Sequence, residues 1–268
     1  MKYRTASLLL LAALAAPCHA GTNPRAQLTQ LDGYGHFASA DPALCTYAPV
    51  DVDGGTTLNP IAASPSTTAL DDGAAAFALS QPFRFFGTDY SALVVSTNGY
   101  VAFAASLADE NGGDFSNDIY LPAVPDNAPF SAARVLAYHD ELSGEGAGAA
   151  LTQQFFATCP RASGLIAGEA CTVVRWKNWN RLGDNQPLTF QLVLYHASRA
   201  AVVQYTTLDA TAGASACAGL QSDGAADGGA WSCNGTRALE AGTALCLFDP
   251  AHLPSSNNDP IFTDGFEP

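Results

Sequence analysis

Basic residues are scarce in this chain. Lysine and arginine together number 11 against 25 aspartates and glutamates, a formal net charge of −14. A surface of that sign repels a polyanion, and no basic run exists to gather phosphates, which argues against nucleic acid as a partner. Long apolar runs are equally missing beyond the first twenty residues. No later stretch has the roughly 18 uninterrupted apolar residues of a membrane span, so no transmembrane segment is expected in the mature chain. Spaced enzyme signatures are absent as well: there is no G-x-S-x-G elbow, no H-E-x-x-H and no Gly-rich phosphate loop before a helix. A zinc site has little to build on, because no CxxC pair occurs and His36, His139, His196 and His252 have no ligand spacing with the cysteines.

What is present begins at Met1, where Lys2 and Arg4 precede an apolar run from Ser7 to Ala16 that ends in Pro17, Cys18, His19 and Ala20. This is the layout of a signal peptide over residues 1–20. Small residues at minus three and minus one place the cut between Ala20 and Gly21. Its removal takes two basic residues and no acidic one, moving the formal charge from −14 to −16. The expectation is an acidic protein, secreted or held at the cell surface.

Loss of Cys18 leaves Cys45, Cys159, Cys171, Cys217, Cys233 and Cys246 of the seven cysteines. An even number in an exported chain reads as disulfides, and six cysteines allow 15 connectivities, among which sequence alone does not choose. The pairing expected is local for Cys159 with Cys171 and Cys217 with Cys233, leaving Cys45 and Cys246 to tie the ends together.

Glycine (24) and proline (16) are frequent, and apolar residues alternate with period two in short runs between turn residues. Eleven strands are expected from that pattern: 76–78, 83–86, 93–96, 100–104, 134–138, 151–157, 171–179, 188–195, 200–206, 215–221 and 244–248. Thr97, Asn98 and Gly99 supply an Asn-Gly hairpin turn, and His196 to Arg199 joins two further runs as antiparallel neighbours. Many strands without long amphipathic helices predict an all-β, antiparallel two-sheet β-sandwich or jelly roll with few short helices. One domain is expected over 21–250, and after it a flexible tail over 251–268 that lacks a core pattern.

Several clusters could carry chemistry. His139, Asp140 and Glu141 place an imidazole beside two carboxylates at a strand end, as a general base or a paired-carboxylate hydrolase would require. On a regular strand adjacent side chains point to opposite faces, which favours a structural role for them. The loop 109–118 concentrates oxygen ligands in Asp109, Asn111, Asp114 and Asp118, as a calcium ion would need. It departs from EF-hand spacing, with Gly113 at the fifth position and Tyr120 at the twelfth, and a solvated loop is the competing reading. Trp176 and Trp179 lie three apart, so a regular strand would put them on opposite faces. One would then be free beside Asn178 or Asn180 to stack on a sugar; the favoured reading is that both cover the sandwich edge, because tryptophan is usually well buried.

Segment 82–103, PFRFFGTDYSALVVSTNGYVAF, carries an aromatic-Gly-x-x-Tyr run and a Ser-x-Asn-Gly turn that resemble the first hairpin of nidogen-like extracellular β domains. Segments 173–180 (VVRWKNWN), 189–195 (TFQLVLY), 202–205 (VVQY) and 215–221 (SACAGLQ) resemble, in order, the later strands of such domains in bacterial secreted proteins. The resemblance covers about 76–248. It implies an extracellular β-sandwich module without a catalytic set to carry over, standing here without the partner domains that usually accompany it. In the tail, Ile261, Phe262, Asp264, Gly265, Phe266 and Glu267 belong to an IFTDGFE ending similar to one on many exported Gram-negative proteins, which implies a segment read by export or sorting machinery. The function expected is a secreted, non-catalytic binding or adhesion module with an extracellular glycan or protein as partner. Asp140, Glu141, Trp179 and Asn180 are its candidate contacts, calcium its candidate cofactor, and a carboxylate hydrolase or a structural surface protein the alternative.

Overall fold

The computed structural model describes residues 28–116, 121–123, 131, 133–184, 186–209 and 213–254. The proposed cleavage site Ala20/Gly21, the calcium candidate Asp118 and the tail residues 261–267 lie outside them.

Among the described residues sixteen strands are formed, in chain order: β1 (Thr29–Gln30), β2 (Phe37–Ser39), β3 (Thr56–Thr57), β4 (Ile61–Ala62), β5 (Gly73–Phe85), β6 (Thr88–Ser96), β7 (Tyr100–Ala102), β8 (Arg134–His139), β9 (Leu142–Ser143), β10 (Ala150–Phe156), β11 (Cys171–Arg181), β12 (Leu188–Tyr195), β13 (Ala201–Thr207), β14 (Cys217–Gln221), β15 (Gly228–Cys233) and β16 (Thr243–Phe248). One sheet has the order β1-β2-β16-β13-β12-β11-β10-β3, with β9 pairing the far end of β11; the other runs β15-β14-β8-β7-β6-β5-β4. Among the described residues the strands pair antiparallel throughout, and the two sheets pack as a β-sandwich. The helical content among the described residues is one 3-10 turn, Asp223–Ala225, where a few short helices were expected. Two expected strands, 76–78 and 83–86, merge into β5, whose register against β6 shifts between Ala78 and Phe83. The short strands β1 to β4 and β9 carry too few alternating positions to stand out in sequence, and β15 opens on two glycines, Gly228 and Gly229.

The period-two pattern explains the layers. Along β12, Leu188, Phe190, Leu192 and Leu194 enter the core between the sheets, while Val193 and Tyr195 face outward into a second apolar cluster. That outer face is roofed by Cys45, Val50 and Val52 from the loop after β2. Glutamines on the sheet hold the roof: Gln204 Oε1 accepts the Ala48 amide at 2.7 Å and Gln191 Oε1 accepts the Val50 amide at 3.0 Å. Disulfides Cys45–Cys246 and Cys159–Cys171 staple the covering loops to the sheet, and Cys217–Cys233 joins β14 to β15. All three pairs are those expected. Across the sandwich, the Trp176 indole N–H donates to Ser96 O at 2.9 Å and the Tyr205 hydroxyl to Ala137 O at 2.9 Å, so both large side chains are buried with their polar ends satisfied.

The strand bearing the two tryptophans departs from regular geometry. Trp176 pairs with Phe190 and Trp179 with Leu188, so three steps on β11 oppose two on β12. This bulge, with Asn178 at φ 54°, inserts one residue and reverses the inward and outward parity of the rest of the strand. Both indoles therefore enter the same core, and the expectation that a sugar-stacking ring stays outside is corrected: Trp179 is 1% exposed.

Candidate functional site: the acidic loop end

One turn organises this end of the sandwich. Ser96 at the end of β6 and Thr97 and Asn98 in the turn to β7 are fully buried polar residues, and Gly99 holds φ 78° where a Cβ would lie 2.0 Å from Tyr138 O. A glycine is required there by the left-handed backbone and by the close approach of β8. The Asn98 side chain accepts the Leu142 amide at 2.9 Å and donates to Asp72 Oδ1 at 2.9 Å. The backbone carbonyl of Asn98 is bonded by Nδ1 of His139 at 3.0 Å. Thr97 donates to the backbone of Asp71 and accepts the Gly73 amide at 2.9 Å. One hairpin turn thus fixes the loop before β5 and the loop from β8 to β9.

These loops bring carboxylates together. Leu70 O accepts the Gly144 amide at 2.7 Å, Glu141 O accepts the Leu182 amide at 2.9 Å, and Thr68 donates to Glu145 at 2.7 Å. Glu141 is held above the usual carboxylate range by partial burial and then by Asp72, Asp71 and Asp140. Asp71 is raised by burial and then by Asp72 and Glu145. Neighbouring carboxylates add to burial in raising Asp71 and Glu141, so the cluster favours an incoming positive charge. Two apolar side chains flank it, Leu70 at 37% and Leu182 at 50% exposure.

The expected contacts divide. Asp140 is buried, accepting the Ser215 hydroxyl at 2.5 Å and the Glu141 amide at 2.9 Å, which makes it a clamp between β8 and the segment before β14. Glu141 is partly exposed in the acidic cluster, as is Asn180, paired with Ser143. His139 is buried, its Nε2 against Ser116 O at 3.0 Å. Trp179 lies beneath the surface against Gly144, where a Cβ would come within 2.5 Å of its ring.

In the loop 109–118, Asp114 is ion-paired with Arg134, Asp109 accepts the Ser106 hydroxyl at 2.8 Å and Asn111 Oδ1 accepts the Gly113 amide at 3.0 Å. Among the described residues no group of three or more His, Cys, Asp or Glu side chains is placed to hold a metal ion. The residue that organises this loop is Glu110, fully buried. It pairs with Arg134 at 2.8 Å, accepts the Tyr100 hydroxyl at 3.0 Å and takes the amides of Gly112 and Ser131. Burial raises the Glu110 carboxyl against the opposing pull of Arg134. Sequence reasoning missed Glu110, Arg134, Asp71 and Asp72, whose partners are far away along the chain.

An antiparallel β-sandwich with its outer loops stapled by disulfides is the architecture of an extracellular-type module. A family model described as NIDO-related matches residues 39–245, and the chain belongs to that family of nidogen-related domains. No curated protein and no solved structure matches the chain.

Proposed function

We propose that this chain is a secreted, non-catalytic binding module whose acidic loop end engages an extracellular partner carrying positive charge. The observation that carries the reading is the clustering of Asp71, Asp72, Glu141 and Glu145 on loops pinned by one buried turn, beside the exposed Leu70 and Leu182. A lysine or arginine side chain on a partner protein relieves the mutual repulsion of these groups, and the two leucines supply apolar contact. A glycan would reach the same face through amide and carboxylate groups such as Asn180 and Glu141. The hydrolase alternative is disfavoured by Asp140, whose oxygens are engaged in holding the fold.

The test is binding of the mature chain to immobilised extracellular proteins and to a glycan array, each with calcium and again with chelator. Wild type is compared with a variant carrying Asp71→Asn, Glu141→Gln and Glu145→Gln. Salt-sensitive binding weakened at least tenfold in the variant is expected; a partner bound equally by both proteins removes this face from the function. A calcium requirement would assign the glycan reading. The tail is proposed as an export or sorting address, and equal release of the full chain and of one ending at Pro260 would refute that.

A further inference from the structure

The outer face of the first sheet carries a second feature, independent of the acidic loop end. A half-open cavity of about 470 Å³ lies between the loop after β2 and the segment between β10 and β11, lined by Leu44, Thr46, Arg161, Ser163, Leu165 and Phe248 among others. Among the described residues that line it, Arg161 is the one charged residue and none is a carboxylate. In a chain with 25 acidic and 11 basic residues that composition is against the general balance of the surface.

Arg161 itself is only 6% exposed. Its guanidinium donates to Tyr195 Oη at 2.9 Å, to Thr46 O at 2.7 Å and to Ala162 O at 3.2 Å, with Cys246 Sγ at 3.8 Å. Every one of these partners is neutral, and Nε has no acceptor. Glu169, whose charge reaches Tyr195, makes no ion pair with Arg161; its Oε2 accepts the Ser198 amide at 2.8 Å. All other described arginines except Arg237, which lies over the Trp231 ring, form ion pairs with aspartate or glutamate. A buried guanidinium surrounded by neutral oxygens keeps an uncompensated charge, and an arriving anion would supply the partner it lacks.

We propose that this cavity binds an organic anion, a carboxylate carried on an apolar group. Arg161 supplies the counter-charge, and Leu44, Leu165 and Phe248 receive the apolar portion. The disulfides Cys45–Cys246 and Cys159–Cys171 hold the cavity's two walls on the sheet, so the site is formed before the ligand arrives.

The test uses the full mature chain, phenylacetate as probe and phenylacetamide as its uncharged match, monitored by amide chemical shifts and calorimetry. Saturable phenylacetate binding that shifts the Ala162, Ser163 and Gly164 amides, at least tenfold tighter than phenylacetamide, is expected. Because Arg161→Gln also removes ties to Thr46 and Tyr195, the second variant is Ala43→Trp. Ala43 is an exposed residue on the cavity rim, and filling the mouth from there should weaken phenylacetate at least tenfold while leaving Arg161 in place. Equal binding of acid and amide, absence of saturable binding, or binding indifferent to Ala43→Trp overturns the proposal.

Discussion

Replacing Asn98 by alanine tests whether the buried turn holds the acidic loops. The substitution removes two bonds at once: the acceptor for the Leu142 amide at 2.9 Å and the donor to Asp72 Oδ1 at 2.9 Å. Asn98 and Leu142 are both fully buried. An amide left without an acceptor in that setting costs about 1–3 kcal/mol, and a lost bond to a carboxylate about 1.5–3 kcal/mol. Asn98→Ala should therefore destabilise by about 2.5–6 kcal/mol, read as a lower urea midpoint at unchanged slope with the disulfides intact. Asn98→Asp separates the two contributions. It keeps an oxygen for the Leu142 amide but sets a carboxylate against Asp72, so one of the pair protonates more readily in the folded state than in the unfolded one. A carboxyl with a raised folded pKa favours folding at low pH, and that advantage is lost as pH rises through the interval between its unfolded and folded values. Asn98→Asp should therefore lie closer to wild type at about pH 4 than at pH 7. A loss below about 1 kcal/mol for Asn98→Ala, against the range expected for these two bonds, or a pH-independent deficit for Asn98→Asp, would refute the role given to the turn.

The same sign governs Glu141, raised by burial and by Asp72, Asp71 and Asp140. Glu141→Gln should raise the urea midpoint at pH 7 and leave it unchanged at about pH 3, where the carboxyl is protonated in both states. Among the disulfides, Cys45–Cys246 spans 201 residues and Cys159–Cys171 spans 12. Replacing each pair by serine should cost about 5 and about 3 kcal/mol respectively by the chain-entropy estimate, and an inverted order in chemical denaturation would contradict it. Trp179→Ala should cost about 3–5 kcal/mol through the cavity it leaves. Gly144→Ala, whose methyl meets the same ring, should add less than its own single effect to that variant in a double-mutant cycle.

The features legible in the sequence were local or countable. The alternation in 188–195 is a strand because its even positions meet the opposite sheet and its odd positions the disulfide-stapled roof. The Asn-Gly turn was legible because Gly99 answers a backbone demand, φ 78°. The cysteine pairs came from their even number and two short separations. The features that escaped share one cause, namely that each rests on a partner distant in the chain or on one dihedral. Glu110 and Arg134 lie 24 residues apart, and Asn98 is separated from Asp72 by 26 residues and from Leu142 by 44, distances that no periodicity encodes. The tryptophan error came from a rule applied without its exception: alternation holds only while a strand has no inserted residue, and Asn178 at φ 54° is that insertion. Asparagine is among the few residues that tolerate this region, so the Asn between the two tryptophans was the available cue. With both indoles spent on the core, the groups exposed at this end are carboxylates, amides and two leucines, which is why the partner proposed for it is a charged one and not a stacked sugar ring.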